Sequence, residues 1–66
     1  MDIQLNGERR TLPSGADLFG LLESLGKDAR MVAIEVNGEI VRRPRYSETI
    51  LRSDDRVEVV HFVQGG

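Results

Sequence analysis

The chain has 66 residues, a net charge of −2, no cysteine and a single histidine, so we expect one small domain and exclude disulfides, thiolate metal sites and multi-histidine zinc sites. The acidic balance argues against nucleic-acid binding, which requires a basic surface. No apolar run reaches the ~20 residues that cross a membrane, and the alternating N-terminus does not have the pattern of a signal peptide, which favours the cytoplasm.

The first predicted element is a β-hairpin. Apolar and polar residues alternate from Met1 to Leu5, which is the period of a half-buried strand. Asn6-Gly7 follows, and both residues tolerate the positive φ angles that a type I′ turn demands. Residues 8–12 are therefore expected to return as the second strand.

A single amphipathic helix is predicted after the hairpin. Asp17 suits the N-cap because its carboxylate can accept hydrogen bonds from backbone N–H groups at the helix start. Gly26 can take the left-handed position at the other end. Between them, leucines recur at the spacing of one helical face, and we expect this face to pack on the sheet. Its members are Leu18, Leu21, Leu22 and Leu25.

The second half of the chain is predicted to add three strands. Residues 31–36 are apolar and rich in β-branched side chains, which favours a strand. Asn37-Gly38 predicts a second hairpin turn, and residues 39–41 are expected to form its short partner strand. Residues 56–63 are predicted to form the last strand, after a turn at 53–55.

An irregular loop is expected over residues 42–52, because Pro44 cannot donate a hydrogen bond to a sheet. Three side chains of this loop are expected to pin it to the core, namely Tyr46, Ile50 and Leu51. The arginines at positions 42, 43 and 45 form a local basic run, which we interpret as a solvated part of the loop.

These elements together predict an α+β fold of the β-grasp, or ubiquitin-like, type. A mixed sheet of four or five strands would carry the helix on one face, with the last strand central and parallel to the first. The domain is expected to span residues 1–63, and residues 64–66 to form a flexible tail. A domain of this size leaves little room for a deep catalytic pocket, which argues against an enzyme.

The two glycines that end the chain have a structural and a functional interpretation. They could form a frayed end. Alternatively, glycine lacks a Cβ and can thread a narrow channel, so an untethered tail could reach into the site of another enzyme. The carboxylate of Gly66 could then attack ATP, and sulfur could displace AMP from the mixed anhydride. Gly66 is thus the predicted reactive residue and Gly65 the threading residue.

The last strand also offers a candidate docking surface beside the tail. If Val57 and Val59 point at the helix, the alternate side chains lie on the uncovered face of the sheet. Those predicted to bind partners are Val60, Phe62 and Gln64. Exposed apolar groups of this kind mark protein contacts, although a covering loop is the alternative. The same alternation places His61 toward the core, where we expect a partly buried, hydrogen-bonded side chain without a catalytic role.

The chain resembles the bacterial thiamine-biosynthesis sulfur carriers along essentially its whole length. The most telling parts are residues 33–41, residues 55–60 and the terminal glycines. The resemblance implies a β-grasp fold, adenylation of Gly66 by an ATP-dependent activating enzyme, conversion to a thiocarboxylate, and donation of sulfur to a thiazole synthase. Asp54 departs from the glycine that is frequent in the family, but Asp tolerates the left-handed conformation, so we expect the turn to persist.

Three other functions fit the same fold. A molybdopterin sulfur carrier would share the tail, but such carriers tend to be longer. A ubiquitin-like modifier would join Gly66 to lysines of other proteins, and a plain interaction module would function without its tail. For a sulfur carrier we expect a free monomer with no cofactor or metal. Its partners would be the activating enzyme, a sulfur-donating enzyme and the thiazole synthase, not nucleic acid or membrane.

Overall fold

The computed structural model of the protein describes residues 1–62. Val63 and the predicted tail at 64–66 lie outside this range, so the domain division at residue 63 stays a prediction. Two short 3-10 helices, Ala29–Met31 and Arg43–Glu48, are present besides the main elements. Those elements are β1 (Asp2–Leu5), β2 (Glu8–Thr11), α1 (Leu18–Leu25), β3 (Val32–Val36), β4 (Glu39–Val41) and β5 (Arg56–His61).

The strands form one mixed sheet in the order β2-β1-β5-β3-β4. β5 lies at its centre, parallel to β1 and antiparallel to β3, while β2 and β4 form the two edges. The main helix packs on one face through its leucines. This arrangement is the predicted β-grasp fold, and it confirms the α+β class and the central, parallel position of the last strand.

Both Asn-Gly turns form as predicted, and their asparagine side chains also hold β5. Asn6 and Asn37 have positive φ angles of 50° and 53°. The Asn6 amide receives the Val59 N–H at 2.8 Å and donates to the Val59 carbonyl at 3.2 Å. The Asn37 amide oxygen receives the Arg56 N–H at 2.9 Å. The central strand is therefore held at its first residue and near its middle by the side chains of turn residues.

The helix α1 begins and ends where the capping residues predict. The Asp17 carboxylate accepts the Gly20 N–H at 2.7 Å, and Gly26 has a left-handed φ of 70°. Of the four leucines, Leu25 is only partly buried, and the other three are buried in the core. The core consists of Ile3, Leu5, Leu12, Leu18, Leu21, Leu22, Val32, Ile34, Tyr46, Leu51, Val57 and Val59.

Two predictions for the loop between β4 and β5 were wrong, because Arg43–Glu48 forms a 3-10 helix where an irregular segment was expected, and because Ile50 is not buried. Tyr46 and Leu51 are buried as expected, but Ile50 is 53% exposed. The Leu51 N–H donates to the Ala16 carbonyl at 2.8 Å, which places this part of the chain alongside the start of the helix. Consecutive side chains of an extended segment point to opposite sides, so only one of the pair can enter the core.

Asp54 adopts the left-handed conformation expected of it, with a φ of 70°. The turn before β5 is closed by Asp55, whose carboxylate accepts the Arg52 N–H at 2.8 Å and the Asn37 side-chain amide at 3.0 Å. The start of β5 is thus set by short polar contacts.

No helix within residues 1–62 has the length and apolar character needed to cross a membrane.

Candidate functional site

The candidate site lies where β5 leaves the sheet. Along this strand Val57 and Val59 are buried, whereas Val60 is 60% exposed. The N–H of Phe62 donates to the Met31 carbonyl at 2.8 Å. The pairing between β5 and β3 thus continues to Phe62, the last described residue. Phe62 is itself 50% exposed. Two large apolar side chains are therefore accessible within six residues of the C-terminus.

The uncovered face of the sheet around Val60 combines apolar and acidic groups. Val60 lies opposite Ala33 on β3, and Glu58 lies opposite Glu35. Ile40, paired with Glu35 from the other side, is 76% exposed. Like charges directly opposite each other on adjacent strands are unfavourable. Neither glutamate forms an ion pair with another of residues 1–62, so this acidic pair is not neutralised there.

Phe62 also lines a shallow depression of about 410 Å³ between the end of β5 and the loop after β4. Its apolar wall includes Ala33, Val41, Pro44 and Tyr46, and its charged members are Arg30, Arg42 and Arg43. The hydroxyl of Tyr46 has a pKa above its usual value because of burial, an effect that the Arg43 guanidinium opposes. The depression is thus apolar at its base and cationic at its margin.

Local ion pairs occupy some of the basic groups nearby. Arg30 donates to both carboxylate oxygens of Asp28, at 3.1 and 2.8 Å, and this contact lowers the Asp28 pKa to about 2. The Asp28 carboxylate also accepts the Arg30 backbone N–H at 2.9 Å. Arg45 contacts Glu48 at 3.3 Å. Within residues 1–62 no group of three or more histidine, cysteine, aspartate or glutamate side chains could hold a metal ion.

The prediction for His61 was wrong. Its neighbour across the sheet, Val32, is buried, but His61 is exposed, and its side chain forms no hydrogen bond with another described residue. The alternation of a strand predicts the direction of a side chain, but not how far the opposing layer extends to cover it. The remaining predicted site residues, Gln64, Gly65 and Gly66, lie outside the described residues, so their roles stay predictions.

Comparison with known proteins decides the family. A model of the ThiS family matches residues 3–66. The chain belongs to the ThiS family. It is 37% identical to the sulfur carrier protein ThiS of Bacillus subtilis, over 97% of this chain and 98% of that protein. The chain also aligns with the solved structure of a thiamine biosynthesis protein (ThiS) from Geobacter metallireducens. The alignment covers 100% of each chain, with a TM-score of 0.85 and 30% identity.

A second kind of ThiS relative is much longer. The chain is 46% identical over its whole length to a protein of Magnetococcus marinus named thiazole synthase. It spans only 20% of the length of that relative. A ThiS-like segment can therefore form part of a larger polypeptide that bears the name of a synthase.

Membership of the ThiS family confirms the predicted class of function. The relatives that this chain covers almost completely are named sulfur carrier proteins, which is the class of function that the sequence predicted. The full-length matches favour this over the molybdopterin carrier, the protein modifier and the plain interaction module. Sequence reasoning missed the depression at Phe62. Its only signal was the run of arginines after β4, which had been interpreted as a solvated loop.

The exposure of Phe62 leads to a specific prediction. Phe62→Ala should weaken binding to the activating enzyme by more than ~1 kcal/mol, or at least about fivefold, because a half-exposed aromatic side chain can be fully desolvated by a partner. The matched control is Phe19→Ala, which removes the other phenylalanine, itself 45% exposed on α1. Calorimetric titration would measure both. Unfolding of the Phe62 variant, or unchanged binding by it, would contradict the docking role.

Proposed function

We propose that the protein carries sulfur on the C-terminal carboxylate of Gly66, after activation by a separate ATP-dependent enzyme. A carboxylate oxygen attacks the α-phosphorus of ATP, pyrophosphate leaves, and an acyl adenylate forms. A hydrosulfide-level sulfur donor then attacks the carbonyl carbon, AMP leaves with the bridging oxygen, and the product is a thiocarboxylate. These steps need no side chain of the carrier, since the activating enzyme and the sulfur-donating enzyme supply the catalytic groups.

The observation that carries this proposal is the position of Phe62. This residue ends the described part of the central strand with its side chain half exposed, and only four residues separate it from the end of the chain. In the proposed mechanism Val60, Phe62 and Gln64 contact the activating enzyme. Gly65 passes through its channel, where the absence of a Cβ allows close approach of the backbone.

The proposed acceptor of the sulfur is a thiazole synthase. Support comes from the longer relatives of that name, in which a segment similar to this chain covers about a fifth of the polypeptide. A carrier and its acceptor joined in one chain have a high effective concentration for each other. For the separate carrier we propose a monomer in the cytoplasm, with no cofactor of its own, that meets the synthase through its tail.

The experiment is a mass measurement on the intact carrier. Incubation with the activating enzyme, ATP and a sulfide source should increase the mass by the difference between sulfur and oxygen, on Gly66. Omission of ATP is the control and should leave the mass unchanged. Attachment of Gly66 to lysines of other proteins would instead indicate a protein modifier, and the absence of any change with an active enzyme would contradict the proposal.

A further inference from the structure

Two arginines beside the candidate site, Arg42 and Arg43, form no ion pair within residues 1–62. Arg30 is occupied by Asp28, and Arg45 by Glu48. Arg42 and Arg43 form no ion pair or side-chain hydrogen bond with any of residues 1–62, and both are exposed. In the basic run after β4, Arg45 is therefore paired, whereas Arg42 and Arg43 form no ion pair with a described residue, and Arg43 acts on Asp28 only at longer range.

Arg42 and Arg43 line the same depression as Phe62. The depression measures about 410 Å³, and its base includes the side chain of Tyr46, which is buried. This surface therefore offers a partner an aromatic contact and two cationic groups. The arrangement suits a segment that combines an apolar side chain with carboxylates.

The short distance to the chain end determines what meets this surface. Four residues follow Phe62, and four extended residues span at most ~14 Å. An enzyme that encloses the carboxylate of Gly66 must therefore approach the region of Phe62. Contact there would remove water from Arg42 and Arg43, and a desolvated guanidinium without an acceptor is strongly unfavourable. A carboxylate is the acceptor that guanidinium binds best, through two parallel hydrogen bonds.

We propose that the depression at Phe62 docks an acidic segment of the activating enzyme, which presents carboxylates to Arg42 and Arg43 and an apolar side chain to Phe62. This inference rests on the proposed function and adds the chemical character of the partner surface. Complementary charges at the margin of an interface act mainly on the rate of association. The arginines thus accelerate encounter and orient the carrier, while Phe62 slows its release.

The test compares two double variants with the same change in charge. Arg42→Gln/Arg43→Gln should lower the association rate with the activating enzyme roughly tenfold at low ionic strength, and it should reduce the dependence of that rate on salt. Arg10→Gln/Arg52→Gln is the control. Arg10 lies on the edge strand β2, and Arg52 precedes β5 at the end remote from Phe62. The control should retain most of the rate, and stopped-flow fluorescence would measure both.

The outcomes separate this inference from the proposed function. Equal rates for the wild-type protein and the Arg42/Arg43 variant, with Phe62→Ala still weakening binding, would overturn the acidic docking site alone. Equal losses in both double variants would also overturn it, since net charge would then be the cause. No adenylation of the wild-type carrier would overturn the proposed function itself.

Thermal unfolding provides the check on folding. If the double variant is unstable, Arg42→Gln and Arg43→Lys replace it as single changes. Arg43→Lys keeps the charge, so it should retain most of the association rate, whereas Arg42→Gln should lower it. A loss of rate in the lysine variant as large as that of the glutamine variant would contradict an electrostatic role.

Discussion

Deletion of Gly66 should abolish formation of the AMP adduct. The new terminal carboxylate would belong to Gly65. It would lie one residue, ~3.3–3.6 Å, from the position that the Gly66 carboxylate occupies next to ATP in the activating enzyme. Reacting atoms must approach to ~3–3.5 Å with correct alignment, so a displacement of this size prevents attack on the α-phosphorus. ATP–pyrophosphate exchange with the activating enzyme measures the step directly.

Two further variants test whether the register of the tail is the cause. A variant with one residue added after Gly66 should also fail to form the AMP adduct, because the addition displaces the terminal carboxylate in the other direction. Gly65→Val should also fail, through a clash in the channel. All three should retain the circular dichroism and thermal unfolding of the wild type. Normal exchange by the protein lacking Gly66 would falsify the carrier mechanism.

The second large effect is expected in the core. Leu22→Ala should lower the free energy of unfolding by ~2–5 kcal/mol, because Leu22 is 1% exposed and its removal leaves a cavity beneath the helix. Urea titration followed by circular dichroism measures the change. Leu25→Ala is the matched control in the same helix, and its loss should be smaller because Leu25 is only partly buried. A loss below ~0.5 kcal/mol in the Leu22 variant would contradict its burial.

The sequence predicts the fold well because its signals are local. Each Asn-Gly pair can adopt positive φ angles in a tight turn, and each does so here. Asp17 and Gly26 end the helix through contacts within a few residues of themselves. The periods of strand and helix then determine which side chains face each other, and the order of elements leads to the β-grasp arrangement.

The remaining features depend on contacts between distant parts of the chain. The two hydrogen bonds between the Asn6 side chain and the Val59 backbone join residues 53 positions apart, and no local pattern indicates them. The exposure of His61 depends on where the layer over the sheet stops. The division of the arginines into those with and those without an ion pair depends on which acidic residues lie nearby in space. These features determine the chemical character of the candidate site, so its docking surface was only partly predictable.

Because β5 lies at the centre of the sheet, we expect the fold to remain stable when the residues after Phe62 are removed. Among residues 1–62, the strand pairings and the core are formed by residues up to His61, and Phe62 adds one backbone contact. A protease that cuts after Phe62 would leave a folded fragment with the same docking surface, but its terminal carboxylate, now on Phe62, would lie four residues short of the position of Gly66. If the proposed docking surface is correct, such a fragment should compete with the intact carrier for the activating enzyme. Limited clipping of the cellular pool would then lower the sulfur flux more than the number of damaged copies suggests.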